Sequence, residues 1–123
     1  FNQGWAGKAP VLMLALADTL FNHDNQPNRW GGYDTGAASM SLCVQATELG
    51  LMVHQMGGFD AGKVQKEFSV PERFTPMAMI ALGYQLAEAD IPADLKEREY
   101  APRQRRPLAE VAYSGEWGKS IAP

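Results

Sequence analysis

The chain is poor in cysteine, in histidine and in long apolar runs. Its 123 residues contain one cysteine, Cys43, so no disulfide can form within the chain and a cytoplasmic setting is expected. The two histidines, His23 and His54, lie far apart and have no thiol or carboxylate partner at metal-ligand spacing, so no metal site is expected. The longest apolar run covers residues 11–17. Because a membrane helix needs roughly 20 apolar residues, no membrane span is expected.

Concentrated charge and the common catalytic motifs are also scarce. The net charge is -3, which gives no reason to expect a nucleic-acid surface. Positive charge is concentrated only at Arg103, Arg105 and Arg106, a patch too short to grip a duplex but sufficient for one phosphate. The sequence has no nucleophile elbow, P-loop or Gly-x-Gly-x-x-Gly fingerprint. We therefore predict no catalytic side chain, and an enzyme with this sequence would depend on a cofactor for its reaction.

The length of the chain suits one domain, residues 1–123, and its apolar patterning predicts strands that alternate with helices. The apolar fraction of 46% is ordinary for a globular protein. Residues 11–17 and 77–84 are mostly apolar, which predicts strands buried on both faces. Residues 51–56 predict a shorter extended piece, and the polar stretch 21–29 predicts a loop. Buried strands alternating with helices favour a mixed α/β or α+β layered fold.

End signals predict three helices: residues 35–49 between Asp34 and Gly50, residues 61–68 after Asp60, and residues 93–100 after Pro92. The first of these contains a single charged residue, Glu48. A helix with so little charge is covered on most sides, so we expect it to contact the core or a partner subunit. Cys43 lies within it among apolar residues, which is typical of a small buried side chain and not of a nucleophile.

Two short segments are candidate ligand contacts. Gly57 and Gly58 lie between a predicted strand and a predicted helix, where a backbone without Cβ atoms can approach a flat ligand. The alternative is a tight connection that needs glycine for a positive φ. Arg103 and Arg105 are two residues apart, so in an extended segment they share one side and can both grip a phosphate. The alternative for this pair is a solvated basic turn.

Several motifs follow one another along nearly the whole chain. They are Asn2-Gln3-Gly4-Trp5, Ala9-Pro10-Val11-Leu12, Asp34-Thr35-Gly36-Ala37, Gln55-Met56-Gly57-Gly58-Phe59-Asp60, Val70-Pro71-Glu72, Ala81-Leu82-Gly83-Tyr84 and Arg105-Arg106-Pro107-Leu108. In this order they resemble the FMN-dependent nitroreductase family. The resemblance implies an α+β fold, a central mixed β-sheet flanked by helices, and a homodimer with FMN in its interface.

The same resemblance implies a function and a set of cofactor-binding residues: Gln55, Met56, Gly57, Gly58, Arg103 and Arg105. The first four would border the isoalloxazine ring, with the Gly57 N–H toward flavin N5, and the arginine pair would hold the FMN phosphate. The implied reaction passes hydride from NADH or NADPH through FMN to a small-molecule acceptor such as a nitroaromatic or a quinone. NAD(P)H is thus the expected co-substrate.

The sequence also departs from the family. Family members are longer and begin with an Arg-rich, Ser-containing segment that grips the FMN, and nothing similar occurs here, where the chain opens at Phe1 without a methionine. We therefore expect part of the FMN site to come from a longer form of the chain or from a second polypeptide. Two alternatives stay open: the same fold with other flavin chemistry, such as reductive dehalogenation or flavin fragmentation, or a flavin-binding or dimerisation module without turnover.

Overall fold

The strands of the protein form an antiparallel sheet. The computed structural model describes residues 2–121, which divide into two compact units at the boundary between Gln85 and Leu86. In the first unit β1 (Val11–Asp18), β2 (Met52–Met56) and β3 (Phe74–Gly83) lie in the order β1-β3-β2.

This strand order refines the expected sheet. The α+β fold class is confirmed, but both pairings among the described strands are antiparallel, so the mixed pairing that we expected does not occur among them. β1 and β2 run in the same direction, but β3 lies between them and runs the opposite way, so the two parallel strands are not paired with each other. The prediction of a single domain stays a prediction.

Burial on the sheet is less complete than the sequence predicts. Val11 and Leu12 of β1 are exposed, so the prediction of a strand buried on both faces is wrong for its first half. The buried positions of the described strands are Ala17 on β1, Met56 on β2, and Ile80 and Ala81 on β3. β3 is the most buried because it is the central strand and has a neighbour on each side, whereas β1 is an edge strand of the described sheet.

A bulge in β1 is bridged by the long helix. The register between β1 and β3 shifts at Ala15 and Leu16, where Leu16 faces Pro76, a residue with no N–H for the ladder. The Thr35 hydroxyl lies 3.1 Å from the Leu16 carbonyl oxygen and 2.7 Å from that of Gly31, and it donates toward them. The hydroxyl thus replaces a missing backbone donor and fixes the helix against the strand.

The long helix, α2, spans Gly31–Glu48 and begins earlier than predicted. Asp34 lies in its first turn and is not its cap, so that capping prediction is wrong. The start is set by packing instead, since a Cβ on Gly31 would lie 2.2 Å from the Asp18 carbonyl oxygen. Only glycine allows the helix to begin this close to the end of β1.

The predicted stop of α2 is confirmed. Gly50 has a φ of 74°, which is the left-handed conformation that glycine adopts most easily. Its N–H donates to the Thr47 carbonyl at 3.0 Å, and the Leu51 N–H donates to the Ala46 carbonyl at 2.9 Å. This pair of hydrogen bonds is a Schellman motif, which satisfies the last carbonyls of the helix and turns the chain into β2.

Two shorter helices flank the sheet in the first unit. In α3 (Ala61–Glu67) the Asp60 side chain accepts a hydrogen bond from the Lys63 N–H at 2.9 Å, which confirms the predicted cap. The helix α1 (Gln3–Ala6) is not predicted, because four residues are too few to show a helical period. Its Ala6 packs with Met56 and Ala81 in the buried cluster of this unit.

The second unit contains short elements only. Pro92 precedes α4 (Ala93–Glu99), as predicted, and 3-10 turns occupy Glu88–Asp90 and Leu108–Glu110. Residues 101–107, which carry the basic patch, form neither helix nor strand. Among residues 2–121, no helix is long and apolar enough to cross a membrane.

Candidate functional site

The segment 55–58 turns the chain from β2 into α3. Gln55, Gly57 and Gly58 are exposed, whereas Met56 is only 6% exposed and packs in the buried cluster. A ligand beside this segment can therefore meet the Met56 backbone but not its side chain. The buried Met56 side chain instead anchors the turn to the core.

Gly57 has no structural need to be a glycine inside this chain. Among the described glycines, positive φ values occur at Gly50, Gly115 and Gly118, so the alternative that Gly57 and Gly58 serve a positive φ is wrong. A Cβ built on Gly57 would meet nothing within 4 Å. The missing side chain leaves an open, exposed stretch of backbone on which another molecule can lie.

The rest of the turn is held by hydrogen bonds. The Asn2 side-chain amide donates to the Gly58 carbonyl at 3.0 Å, and a Cβ on Gly58 would approach that same amide nitrogen at 3.0 Å. The Phe59 N–H donates to the Gly57 carbonyl, also at 3.0 Å. With Asp60 capping α3, the turn is fixed on both sides, so its open face is preorganised.

Gln55 is tied to the long helix by its side chain. Its amide Nε2 donates to the Cys43 sulfur at 3.1 Å, which joins β2 to α2. Cys43 is half-buried, so it is less covered than the small buried side chain that we expected. The hydrogen bond brings together two residues whose spacing in the sequence gives no sign of a contact.

The two predicted phosphate ligands lie in the second unit, whereas residues 55–58 belong to the first. Arg103 and Arg105 are exposed on the irregular segment. Within residues 2–121 the Arg103 guanidinium has no hydrogen-bond or ion-pair partner, and Arg105 donates only to the Gln104 carbonyl, at 2.8 Å. Most of their donors are thus free for an anion, and phosphate binding stays a prediction.

A polar cluster around Arg73 was not predicted. Arg73 donates through Nε to Asp18 Oδ1 at 2.9 Å and through Nη2 to Asp18 Oδ2 at 2.5 Å, a bidentate ion pair. Nη2 also donates to the Asn22 side chain at 2.8 Å and lies 3.3 Å from the Leu20 carbonyl oxygen. The Thr19 hydroxyl returns a hydrogen bond to the Arg73 carbonyl at 2.6 Å. The cluster fixes the start of the loop between β1 and α2.

This ion pair shifts the proton affinities of both partners. The Arg73 guanidinium, through its hydrogen bonds, lowers the pKa of Asp18 below its usual value, and Asp18 in turn raises the pKa of Arg73. Both side chains are satisfied by each other, so the pair has a structural role and is not a free acid or base. No sequence motif marks it, because its members are distant in the chain.

The histidines do not assemble a metal site. His23 lies on the exposed loop, 3.3 Å from the Asp24 carboxylate, and His54 packs edge-on against Trp5 with ring centroids 4.9 Å apart. In the described part of the chain, no three His, Cys, Asp or Glu residues are grouped so that they could hold a metal ion.

Comparisons with known proteins agree with the geometry. The nitroreductase family model matches residues 1–84. An uncharacterized 15.4 kDa protein from Mycolicibacterium smegmatis is 35% identical over 120 residues, covering 98% of this chain and 80% of that protein. The crystal structure of an oxidoreductase containing FMN superimposes with a TM-score of 0.84 at 35% identity, over 97% of this chain.

A nitroreductase family protein from Clostridium difficile 630 superimposes with a TM-score of 0.62 at 26% identity, over 89% of this chain. The chain spans 61% of the length of that protein and 61% of the length of the FMN-containing oxidoreductase. The match to the family model covers more than half of the chain and includes the Gly57-Gly58 turn. The chain belongs to the nitroreductase family.

Proposed function

We propose that this chain is the FMN-binding part of an oxidoreductase that uses NADH or NADPH to reduce a small molecule such as a nitroaromatic or a quinone. The observation that carries the proposal is Gly57, an exposed glycine that neither its backbone conformation nor its packing requires. The similarity to an oxidoreductase containing FMN supports the choice of cofactor. The activity of the whole protein is part of the proposal, because the chain spans 61% of that relative.

The turn fits a flat, aromatic cofactor. In this proposal the isoalloxazine lies against the backbone of residues 55–58, where Gly57 leaves room and its N–H faces the ring. Asn2 and Asp60 hold the turn in place, so little ordering is needed when the ligand binds. FMN chemistry supplies the exchange of a hydride equivalent between a nicotinamide and an acceptor. The chain itself binds, orients and shields the ring.

Arg103 and Arg105 are the proposed phosphate ligands. Both are exposed, and their guanidinium groups keep most of their donors free within the described residues. A phosphate accepts two such charge-assisted hydrogen bonds with good geometry. We propose that an N-terminal segment of a longer chain, or a second polypeptide, supplies the remaining contacts with the cofactor.

We further propose a homodimer in which α2 contacts the second copy. Tyr33, Met40 and Val44 of this helix are 76%, 58% and 60% exposed. An exposed apolar stripe of this kind marks a contact surface in a soluble protein. We expected α2 to be covered on most sides, but in the single chain these side chains are exposed. In this proposal a partner subunit covers them.

Flavin binding is the first test of this function. The purified chain is mixed with FMN, passed over a gel-filtration column, and the protein peak is measured by visible absorption. We expect flavin bands to elute with the protein, and a colourless peak would contradict the proposal. A peak that binds FMN but is not bleached by NAD(P)H would favour the alternative of a flavin-binding module without turnover.

A further inference from the structure

The two ends of the Gln55 carboxamide differ in their partners among the described residues. In β2, Gln55 pairs with Ile80 of β3, and the residue that follows Gln55, Met56, is the last of the strand before the turn. Its Nε2 donates to the Cys43 sulfur at 3.1 Å. Within residues 2–121 the Oε1 atom has no hydrogen-bond partner, and the residue is exposed.

The hydrogen bond selects which atom of Gln55 a ligand can meet. A carboxamide has donors on one side and an acceptor on the other, and a sulfur atom accepts a hydrogen bond only weakly. With one Nε2 hydrogen directed at Cys43, the carboxamide keeps the Oε1 acceptor and its second N–H for a ligand, and Oε1 is its only acceptor. A free glutamine side chain would instead lose considerable rotamer entropy on contact with a ligand.

We infer that Cys43 is a positioning residue: it holds Gln55 from behind so that Oε1 accepts a hydrogen bond from the bound cofactor. This inference rests on the proposed function, because it takes residues 55–58 to border the flavin. The chemistry requires a ligand with an N–H donor on the edge of a planar ring, and the isoalloxazine of FMN has one. Neither residue transfers a proton or an electron in this role.

The test is a titration of each protein with FMN, in which flavin fluorescence reports binding. The proteins are wild type, Cys43→Ala, Cys43→Ser, Gln55→Leu and the double variant that combines Cys43→Ala with Gln55→Leu. We expect Cys43→Ala to weaken FMN binding by about threefold to tenfold, the effect of losing one hydrogen bond. Cys43→Ser, which keeps an acceptor at the same place, should stay within about twofold of wild type. The matched control is Gln45→Ala, an exposed position on the same helix, which should leave the affinity unchanged.

The double variant separates positioning from a general effect on stability. If Cys43 acts through Gln55, Cys43→Ala should cause no further loss once Gln55 is leucine. Additive losses, or a Cys43→Ser protein as weak as Cys43→Ala, would overturn the inference while leaving FMN binding intact. Wild-type titration curves without any binding would overturn the proposed function and this inference with it. Circular dichroism of each variant checks that the affinities are compared between folded proteins.

Discussion

Gly57 leaves an exposed stretch of backbone open to another molecule. Its φ is not in the left-handed region and a Cβ there would meet nothing within 4 Å, so Gly57→Val should fold normally. The added branched side chain would occupy the space that we assign to the isoalloxazine. Overfilling a well-fitted space typically costs about 1–3 kcal/mol, so FMN affinity should fall by about tenfold or more in fluorescence titration.

Gly62→Val is the control for this substitution. Gly62 is an exposed glycine of α3, where a Cβ would come no closer than 3.7 Å to the Asp60 carboxylate, an ordinary contact. Valine has a better helix propensity than glycine, so this variant should be at least as stable as wild type and should bind FMN equally well. A folded Gly57→Val protein with the affinity of wild type would show that the turn does not border the flavin.

Arg103 and Arg105 carry a second prediction about single residues. One charge-assisted hydrogen bond is worth about 1.5–3 kcal/mol, so Arg103→Ala or Arg105→Ala should each weaken FMN binding by about tenfold or more. Binding of riboflavin, which has no phosphate, should be unchanged. Lys119→Ala is the control, because it removes an exposed positive charge of the same unit that lies outside the basic patch. Equal FMN titration curves for all four proteins would rule out the phosphate assignment.

The Asp18–Arg73 ion pair predicts how stability depends on pH. Arg73 lowers the pKa of Asp18 below its ordinary value of 3.8. The ion pair therefore contributes fully above that value, and its contribution is lost as the pH falls through the lowered pKa of the folded protein. The free energy of unfolding should thus decrease on acidification in this range, and Asp18→Asn should flatten that part of the profile. Urea unfolding at a series of pH values measures this free energy for wild type and for Asp18→Asn. Parallel pH profiles for the two proteins would contradict the stabilising role of the ion pair.

Single residues also show what the sequence could not predict. Asp60 as a cap and Gly50 as a stop were predictable, because their partners lie within a few residues along the chain. The Arg73 cluster and the Gln55–Cys43 hydrogen bond were not, since each depends on how separate elements pack. The open space at Gly57 was also not predictable, because the sequence shows the glycine but not which atoms surround it.

Among the helices and strands, α2 is the one that we propose contacts a second copy of the chain. Val44 is 60% exposed, and its replacement by a charged residue would place that charge in the proposed interface. Val44→Glu should therefore give a monomer or an aggregate in light scattering, and lower FMN content. The control is Gln45→Glu, one residue along the helix. A stable, flavin-loaded Val44→Glu dimer would show that this face is not the interface.

The positions of the elements were largely predictable, and their ends less so. Continuous apolar runs marked both β1 and β3, although only β3 is the central strand of the described sheet. The start of α2 was placed too late, since the Gly31 contact with the Asp18 carbonyl sets it and not a capping side chain. β1 was expected to be buried on both faces, but the described elements cover only part of it. The distribution of burial depends on which neighbours each strand has, and sequence patterns do not contain that information.

For the whole molecule, the order of motifs is more informative than any one of them. The motifs in sequence order indicate the family, and the family is shown by a match over residues 1–84 and by a fold similarity at a TM-score of 0.84. The described chain contains the turn and the basic pair, one in each unit. We propose that further polypeptide completes the cofactor site, in line with the greater length of the FMN-containing oxidoreductase.

The central claim is that this chain supports hydride transfer to a bound flavin. The most direct measurement is anaerobic stopped-flow mixing of the FMN-loaded protein with NADH or NADPH, with free FMN at the same concentration as the reference. We predict that the visible flavin absorption of the protein is bleached much faster than that of free FMN, and with saturation as the nucleotide concentration rises. Bleaching no faster than that of free FMN, in a protein that retains its flavin, would contradict the account.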